Sequence, residues 1–262
     1  MRFVTFLSGL LLLASACSAG EVRPTDRIVP LIQDGGGWTT TITLVNLETR
    51  PAAFEMLLRS RAMRSWAVPL EAKGAEASGP VVQGAIPPQG AVTIRTLGTS
   101  AELERGYAML FPANGARIGA TTTVLHAESG ASLVLPLKPE REDRLMIPFD
   151  NTAGSATSLV LISETPGTLI DYVALGPAGE KLLAGSYQFS GDTPLSQDVF
   201  SIAERFPELK DRSGVLYLEL SYPMAGLYDE LFFTAFGVQN HANGAASVVP
   251  SMSTSSWRAG QH

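Results

Sequence analysis

The chain repeats itself once, and this repeat constrains its fold more than any other feature. The stretch RIVPLIQDGGGWTTTITLVN at residues 27–46 returns in outline as RLMIPFDNTAGSATSLVLIS at residues 144–163. Two later pairs of stretches correspond in the same order: ERGYAMLF (104–111) with RSGVLYLEL (212–220), and HAESGASLVLP (126–136) with HANGAASVVP (241–250). Corresponding landmarks lie roughly 110 to 118 residues apart, close to the length of one β-sandwich. This spacing predicts tandem domains rather than a solenoid of short repeats.

The two copies are separated by KPERED, residues 138–143, the densest run of charge in the chain. A charged segment that contains a proline is expected to remain in solvent and to act as a linker. We therefore expect one β-sandwich domain at residues 27–137 and a second at residues 144–250. Residues 251–262 are mostly small and polar, and we expect them to form a flexible tail.

Apolar and polar residues alternate along the segments expected to form strands. In TTTITLVN, residues 39–46, Thr40, Ile42 and Leu44 share one face, which is typical of a strand with one buried side. Turn-forming residues are frequent, with 25 glycines and 17 prolines, and only SIAERFPELK, residues 201–210, is expected to contain a short helix. These patterns predict an all-β protein of two tandem antiparallel β-sandwich domains.

The first residues have the features of an export signal. The segment MRFVTFLSGLLLLASAC carries a positive charge at Arg2, an apolar stretch at residues 3–13 and small residues at 14–16. The apolar stretch is far shorter than the roughly 20 residues that cross a bilayer. We therefore expect a signal peptide at residues 1–16 and an exported mature protein.

Cys17 is the only cysteine of the chain, which excludes an internal disulfide. The segment LASAC resembles the lipidation signal of bacterial lipoproteins, although Ala14 stands where leucine is usual. The alternative is ordinary cleavage after Ala16 or Ala19, which leaves no anchor. We expect a periplasmic or outer-membrane lipoprotein, or otherwise a secreted protein, that meets the membrane only through lipid on Cys17.

The net charge of the chain argues against nucleic acid as a partner. Acidic residues outnumber basic ones, and the formal net charge is −6. Loss of Arg2 with the signal peptide makes the mature chain more negative still. An acidic chain without a basic patch is not expected to bind nucleic acid.

Residue types that bind metal ions are few and scattered. Asp34, Asp150 and Asn151 lie in expected turns and offer too few oxygens in one place for a calcium site. His126 and His241 hold equivalent positions of the repeat, which favours shared turn chemistry over a zinc site. We therefore expect no metal and no cofactor.

Motifs for catalysis are also missing from the sequence. The glycines of QDGGGW precede a strand rather than a helix, so we expect a turn there and not a phosphate-binding loop. We find no convincing GxSxG or SxxK arrangement for a nucleophile. No catalytic residue is expected, and a pair of carboxylates that meet only in space stays an open alternative.

Three arginines and a tryptophan form a candidate binding stripe. In LLRSRAMRSW they are Arg59, Arg61, Arg64 and Trp66. Arg59 and Arg61 share one face if the strand continues, and Trp66 could offer a stacking surface to a polysaccharide or an acidic partner. The alternative is a solvated strand face without a partner.

The order of a proline, a glycine-containing turn and a TTxxLVN-like strand, given twice after a signal peptide, resembles a loose group of secreted bacterial proteins. The resemblance covers residues 27–250 and implies paired immunoglobulin-like sandwiches without an assigned activity. We expect a non-catalytic cell-envelope protein that binds, adheres or acts as a spacer through its sandwich surfaces, with an unknown envelope protein or a polysaccharide as partner. A carbohydrate-binding accessory protein is the alternative, and a hydrolase with an unrecognised carboxylate pair is a weaker one.

Overall fold

The computed structural model of the chain describes residues 27–253, except for residues 63, 140, 141, 143, 164–166, 190–195, 222–232 and 243. Within these ranges the protein is almost entirely β-structure in antiparallel sheets. The only α-helix of the described residues is the four-residue α1 (Ile202–Arg205), which lies in the segment expected to contain a short helix. The prediction of an all-β antiparallel sandwich fold is therefore confirmed.

The first half of the chain forms two sheets that face each other. Their strands are β1 (Arg27–Asp34), β2 (Trp38–Asn46), β3 (Ala52–Ser60), β4 (Leu70–Lys73), β5 (Glu76–Ser78), β6 (Val81–Ile86), β7 (Ala91–Thr96), β8 (Glu104–Pro112), β9 (Ile118–His126), β10 (Ser132–Pro136) and β11 (Lys138–Pro139). Sheet 1 has the order β11-β1-β8-β3-β6-β5, and sheet 2 has the order β10-β9-β2-β7-β4. We call sheets 1 and 2 the N-terminal sandwich.

Alternating apolar residues of the two sheets meet in one core. Met56 and Leu58 of β3 are fully buried there, as are Ile42 and Leu44 of β2, because the period of a strand turns every second side chain inward. Val29 and Ile32 of β1 face this core as well. The core therefore follows from the period-2 pattern of the sequence.

The second half forms two more sheets. Their strands are β12 (Arg144–Asp150), β13 (Ala156–Ile162), β14 (Leu169–Leu175), β15 (Lys181–Gln188), β16 (Gln197–Ser201), β17 (Ser213–Leu220), β18 (Thr234–Asn240), β19 (Ala246–Val249) and β20 (Met252–Ser253). Sheet 3 has the order β15-β14-β17-β12-β20, and sheet 4 has the order β16-β13-β18-β19. We call this pair the C-terminal sandwich. Its strand order repeats that of the first pair, with β12, β17 and β14 in the places of β1, β8 and β3.

A buried threonine links the first two strands of each sandwich, which lie in different sheets, in the same way. Thr40 Oγ1 donates to Gln33 O at 2.8 Å and accepts from Gln33 N at 2.8 Å. Thr157 Oγ1 makes the same pair of bonds with Asp150, at 2.8 Å from its N and 3.1 Å from its O. These hydroxyls satisfy buried backbone groups that would otherwise lack partners. The sequence repeat is therefore also a repeat of local hydrogen bonding.

Two short segments, in the predicted linker and in the predicted tail, pair with strands of the sheets. β11, in the predicted linker, pairs with β1, and β20, in the predicted tail, pairs with β12. Glu142 is only 7% exposed, and its Oε2 accepts a hydrogen bond from Thr234 Oγ1 at 2.9 Å. Burial raises the pKa of the Glu142 carboxyl above its ordinary value.

The expectation of a fully solvated linker is therefore wrong for Glu142, because a hydroxyl of β18 gives its carboxyl a buried partner. The predicted domain limits, 27–137 and 144–250, stay predictions. The predicted signal peptide and Cys17 lie outside the described residues, as does most of the predicted tail.

Gly106 in β8 leaves room for the indole of Trp66. A Cβ at Gly106 would lie 2.1 Å from Arg59 O and 2.7 Å from the Trp66 ring. We expect Gly106→Ala to lower the free energy of unfolding by about 3 kcal/mol or more, because backbone and ring must both move. Gly119→Ala in β9 is the matched control, since its nearest contact is Leu47 at 3.7 Å, and it should change stability by less than about 1 kcal/mol. Urea denaturation of both variants measures the difference, and equal stabilities would contradict this packing.

Candidate functional site

The outer face of sheet 1 packs against the outer face of sheet 4, and we call this contact the seam. Fully buried Tyr107 projects into it from β8, and Val160 and Ile162 project into it from β13. The other buried members of the seam are Ile28, Leu31, Met109 and Phe236, together with Val124, Leu133 and Leu135 of sheet 2, whose edge strand β10 meets β19. Strands buried on both faces have continuous apolar runs, and GYAMLF and SLVLI are such runs. The seam was not predicted, although these runs were visible in the sequence.

A bulge in β1 creates the polar centre of the seam. The pairing of β1 with β8 shifts register between Val29 and Ile32, where Pro30 has no N–H to donate. Gln197 of β16 reaches across, and its Nε2 donates to Pro30 O and Gly106 O, both at 2.9 Å. The Gln197 side chain is fully buried. Its amide N–H groups bond carbonyls beside the bulge, where the regular pairing of backbone N–H and C=O groups between β1 and β8 is interrupted. One residue of the C-terminal sandwich thus completes a sheet of the N-terminal one.

Charged and polar groups border the seam next to Gln197. Ser196 N donates to Arg61 O at 2.7 Å, and the Arg61 guanidinium lies 3.2 Å from Asp198 Oδ1. Tyr187 Oη donates to the other oxygen of Asp198. Burial, and then this bond to Asp198, raise the pKa of Tyr187 well above its ordinary value. Asp198 therefore holds groups of both sandwiches in one network.

A cleft of about 220 Å³ opens at one end of the seam, and we call it the seam cleft. Both sandwiches supply its walls. The N-terminal sandwich contributes Leu31, Gln33, Trp38, Arg105, Val124, Ala131, Ser132 and Leu133, and the C-terminal sandwich contributes Ser158, Val160, Val199, Val238, Asn240 and Ala246. Most of this surface is apolar, as is usual for sites that bind small molecules.

Arg105 is the only charged residue among these lining residues. Its Nε is buried and, within the described part of the chain, has no hydrogen-bond partner. Burial, and then the like charge of Arg61, lower the pKa of the Arg105 guanidinium. The seam cleft therefore has one positive charge at its wall, set among apolar groups.

The glycine turn positions Trp38 at this cleft. Gly36 and Gly37 have φ of 57° and 85°, and Gly35 and Trp38 exchange backbone hydrogen bonds at 3.0 and 3.1 Å across them. Two residues with positive φ are the requirement of a tight hairpin that matches strand twist. The Trp38 ring then packs 4.8 Å from the His126 ring. The predicted turn is confirmed, and its effect is to place an aromatic wall in the cleft.

The predicted binding stripe is not a continuous surface. Trp66 is 7% exposed, packs in the core of the N-terminal sandwich, and donates from Nε1 to Glu104 Oε2 at 2.8 Å. Arg61 forms an ion pair with Asp198 at the border of the seam. Arg59 is half-buried, and its Nε has no hydrogen-bond partner among the described atoms. Only Arg64 is exposed. The expectation that Trp66 offers a stacking face is wrong, because Gly106 opens a place for the indole inside.

Carboxylates considered for calcium serve as acceptors in turns. Asp34 Oδ1 accepts from Gly98 N at 2.7 Å, and Asp150 Oδ1 accepts from Thr152 N at 2.9 Å. The bonds from Thr152 lower the pKa of Asp150. Across the residues that the structure describes, no group of three or more histidine, cysteine, aspartate or glutamate side chains could hold a metal ion. These carboxylates have structural partners that account for their positions.

Comparisons with known proteins leave the family open. No protein-family model matches the chain, and no curated protein matches its sequence. Within the described ranges, no helix combines the length and apolar character that crossing a membrane requires. Functional inference therefore depends on the geometry of this chain alone.

The Asp198 network should stabilise the seam. Asp198→Asn removes the negative charge that faces Arg61. This ion pair is partly shielded from solvent, because the Arg61 side chain is 36% exposed and the Asp198 side chain is 13% exposed. We expect the free energy of unfolding to fall by about 1 to 3 kcal/mol, with faster hydrogen exchange at Ser196 N. Asp171→Asn is the control, because Asp171 accepts one exposed bond from Ser186, and it should change stability by less than about 0.5 kcal/mol. Unchanged exchange at Ser196 in Asp198→Asn would contradict this role.

Proposed function

We propose that the protein is an exported, non-catalytic cell-envelope protein that binds or spaces its partners through the surfaces of its sandwiches. The observation that best supports this proposal is the outer face of sheet 2. Partly or fully exposed threonines occupy its three central strands, in contrast to the apolar outer faces that meet at the seam. We call this surface the threonine face; its members are Thr39, Thr41, Thr43, Thr93, Thr121 and Thr123.

Strand register places these threonines in rows. Thr43 lies opposite Thr93 on β7 and opposite Thr121 on β9, and Thr41 lies opposite Thr123. Neighbouring strands are about 4.8 Å apart, and every second residue along a strand is about 6.7 Å further on. Hydroxyl and methyl groups therefore repeat in two directions over a sheet surface.

This chemistry favours a polysaccharide as the partner. A threonine hydroxyl both donates and accepts hydrogen bonds, and its methyl group packs against the apolar face of a sugar ring. Arg95, opposite Thr41, adds a donor at the edge of the rows. Stacking through Trp66, as expected from sequence, does not support this binding, because the indole is buried. A protein partner of the envelope is the second candidate, because the exposed edge strand β5 could pair with another chain.

The threonine face can be tested with charge substitutions. We expect Thr41→Lys together with Thr121→Lys to weaken co-sedimentation with purified insoluble envelope polysaccharide at least tenfold, because the lysines interrupt adjoining rows. Gln83→Lys on sheet 1 is the control with an added charge on an exposed strand residue, and it should bind as the unmodified chain does. Equal retention of the double variant would exclude this face. Hydrolysis of the polysaccharide, abolished by one point substitution, would overturn the non-catalytic proposal.

Anchoring through Cys17 is part of this proposal and has its own test. The small residues before the lone cysteine support processing at Cys17, followed by lipidation. Mass analysis of the mature protein should give a chain that begins at Cys17 and carries acyl groups, and Cys17→Ser should move the protein from the membrane to the soluble fraction. An unmodified terminus at or near Glu21 would rule out the anchor.

A further inference from the structure

We propose that the seam cleft binds a small organic monocarboxylate with a short aliphatic or aromatic body, and that Arg105 binds its carboxylate. This site is separate from the threonine face and does not rest on the proposed function. The cleft belongs to both sandwiches, so its ligand would contact both.

The charge of Arg105 is the first argument. The Arg105 side chain is half-buried, and its Nε is buried without a partner among the described residues, so this donor lacks the hydrogen bond that would offset its burial. The nearby charge of Arg61 has the same sign and lowers the pKa of the Arg105 guanidinium further. An anion in the cleft would satisfy the buried donor and balance this charge. A guanidinium offers paired donors that match the two oxygens of a carboxylate.

Acidic residues beside the lining residues in sequence are already engaged elsewhere. Asp34 accepts from Gly98 N, Glu104 accepts from the Trp66 indole, and Asp198 bonds Arg61 and Tyr187. Each of these carboxylates has a structural role that would be lost if it turned to Arg105. None of these three described carboxylates is therefore free to pair with Arg105, and we expect a bound anion to take that place.

The shape and lining of the cleft define the body of the ligand. Apolar groups of Leu31, Trp38 and Leu133 face those of Val160 and Val238 across the seam. A dry apolar cavity of about 150 Å³ is large enough for benzene, so 220 Å³ suits a ligand of roughly 8 to 10 non-hydrogen atoms. A single cation in such walls favours a monoanion over a dianion, because a second charge would be buried unpaired.

Polar groups of the cleft add a way to orient the ligand. Ser158 accepts a hydrogen bond from Asn240 Nδ2 at 3.3 Å, and both residues come from the C-terminal sandwich. Gln33 and Ser132 supply further polar groups from the N-terminal sandwich. A few polar groups in an apolar lining are the usual pattern of a small-molecule site.

Benzoate and hexanoate are the probes, and benzamide is the neutral match for benzoate. For the full-length chain, we expect calorimetry to give a Kd for benzoate at least tenfold lower than for benzamide. We also expect nuclear Overhauser contacts from the benzoate ring to the Trp38 indole and to Val238 methyl groups. Equal affinity of benzoate and benzamide, no binding of either carboxylate at millimolar concentration, or contacts to residues outside the cleft would overturn the proposal. These measurements need no substitution, so they do not depend on the folding of a variant.

Two variants separate charge recognition from the apolar contact. Arg105→Gln should remove the preference for benzoate over benzamide, whereas Arg212→Gln, at an exposed arginine before β17, should keep it. Val238→Phe should fill the cleft and weaken benzoate and hexanoate alike by at least tenfold. The proposal is overturned if Arg105→Gln, with an unchanged urea midpoint, binds benzoate as the unmodified chain does.

Discussion

Insertion of the Gln197 amide into the bulge of β1 is the contact on which the arrangement of the two sandwiches depends. This amide donates to both Pro30 O and Gly106 O at the point where the ladder shifts, so it satisfies buried carbonyls of sheet 1. Because the donor comes from the C-terminal sandwich, the buried carbonyls of sheet 1 receive this hydrogen bond only when the two sandwiches are in contact. The apolar contact of Tyr107 with the outer face of sheet 4 then excludes water from both.

The seam also explains why chemically distinct features occur together. Asp198 is held beside Gln197 by its strand, so Arg61 has a carboxylate partner. Arg105, on the neighbouring strand, faces the cleft and has none among the described residues. Arg61 and Arg105 are neighbours through a backbone hydrogen bond and yet have different environments. The difference arises from which residue of sheet 4 each one meets, and it makes Arg105 the group available to a ligand.

Local features of the fold could be predicted from sequence, and long-range ones could not. Period-2 alternation predicted the strands, and the glycines before Trp38 predicted the turn, because both depend on neighbouring residues. The burial of Trp66 depends on Gly106, about forty residues away, and the burial of Glu142 depends on Thr234. The seam needs both faces of β13 to be buried, and the continuous apolar run SLVLI indicates this without indicating the partner.

Contact between unlike faces of two repeated units could in principle continue without end, as in a filament, since each unit would offer the next the same surface. The register shows where the two units differ on this surface: Val160 lies opposite Phe236 in sheet 4, and the corresponding pair in sheet 2 is Thr43 opposite Thr121. Val238 corresponds likewise to Thr123. Three apolar-to-hydroxyl differences therefore make the outer face of sheet 2 a poorer apolar partner than the outer face of sheet 4, although the two faces occupy corresponding places in the repeat.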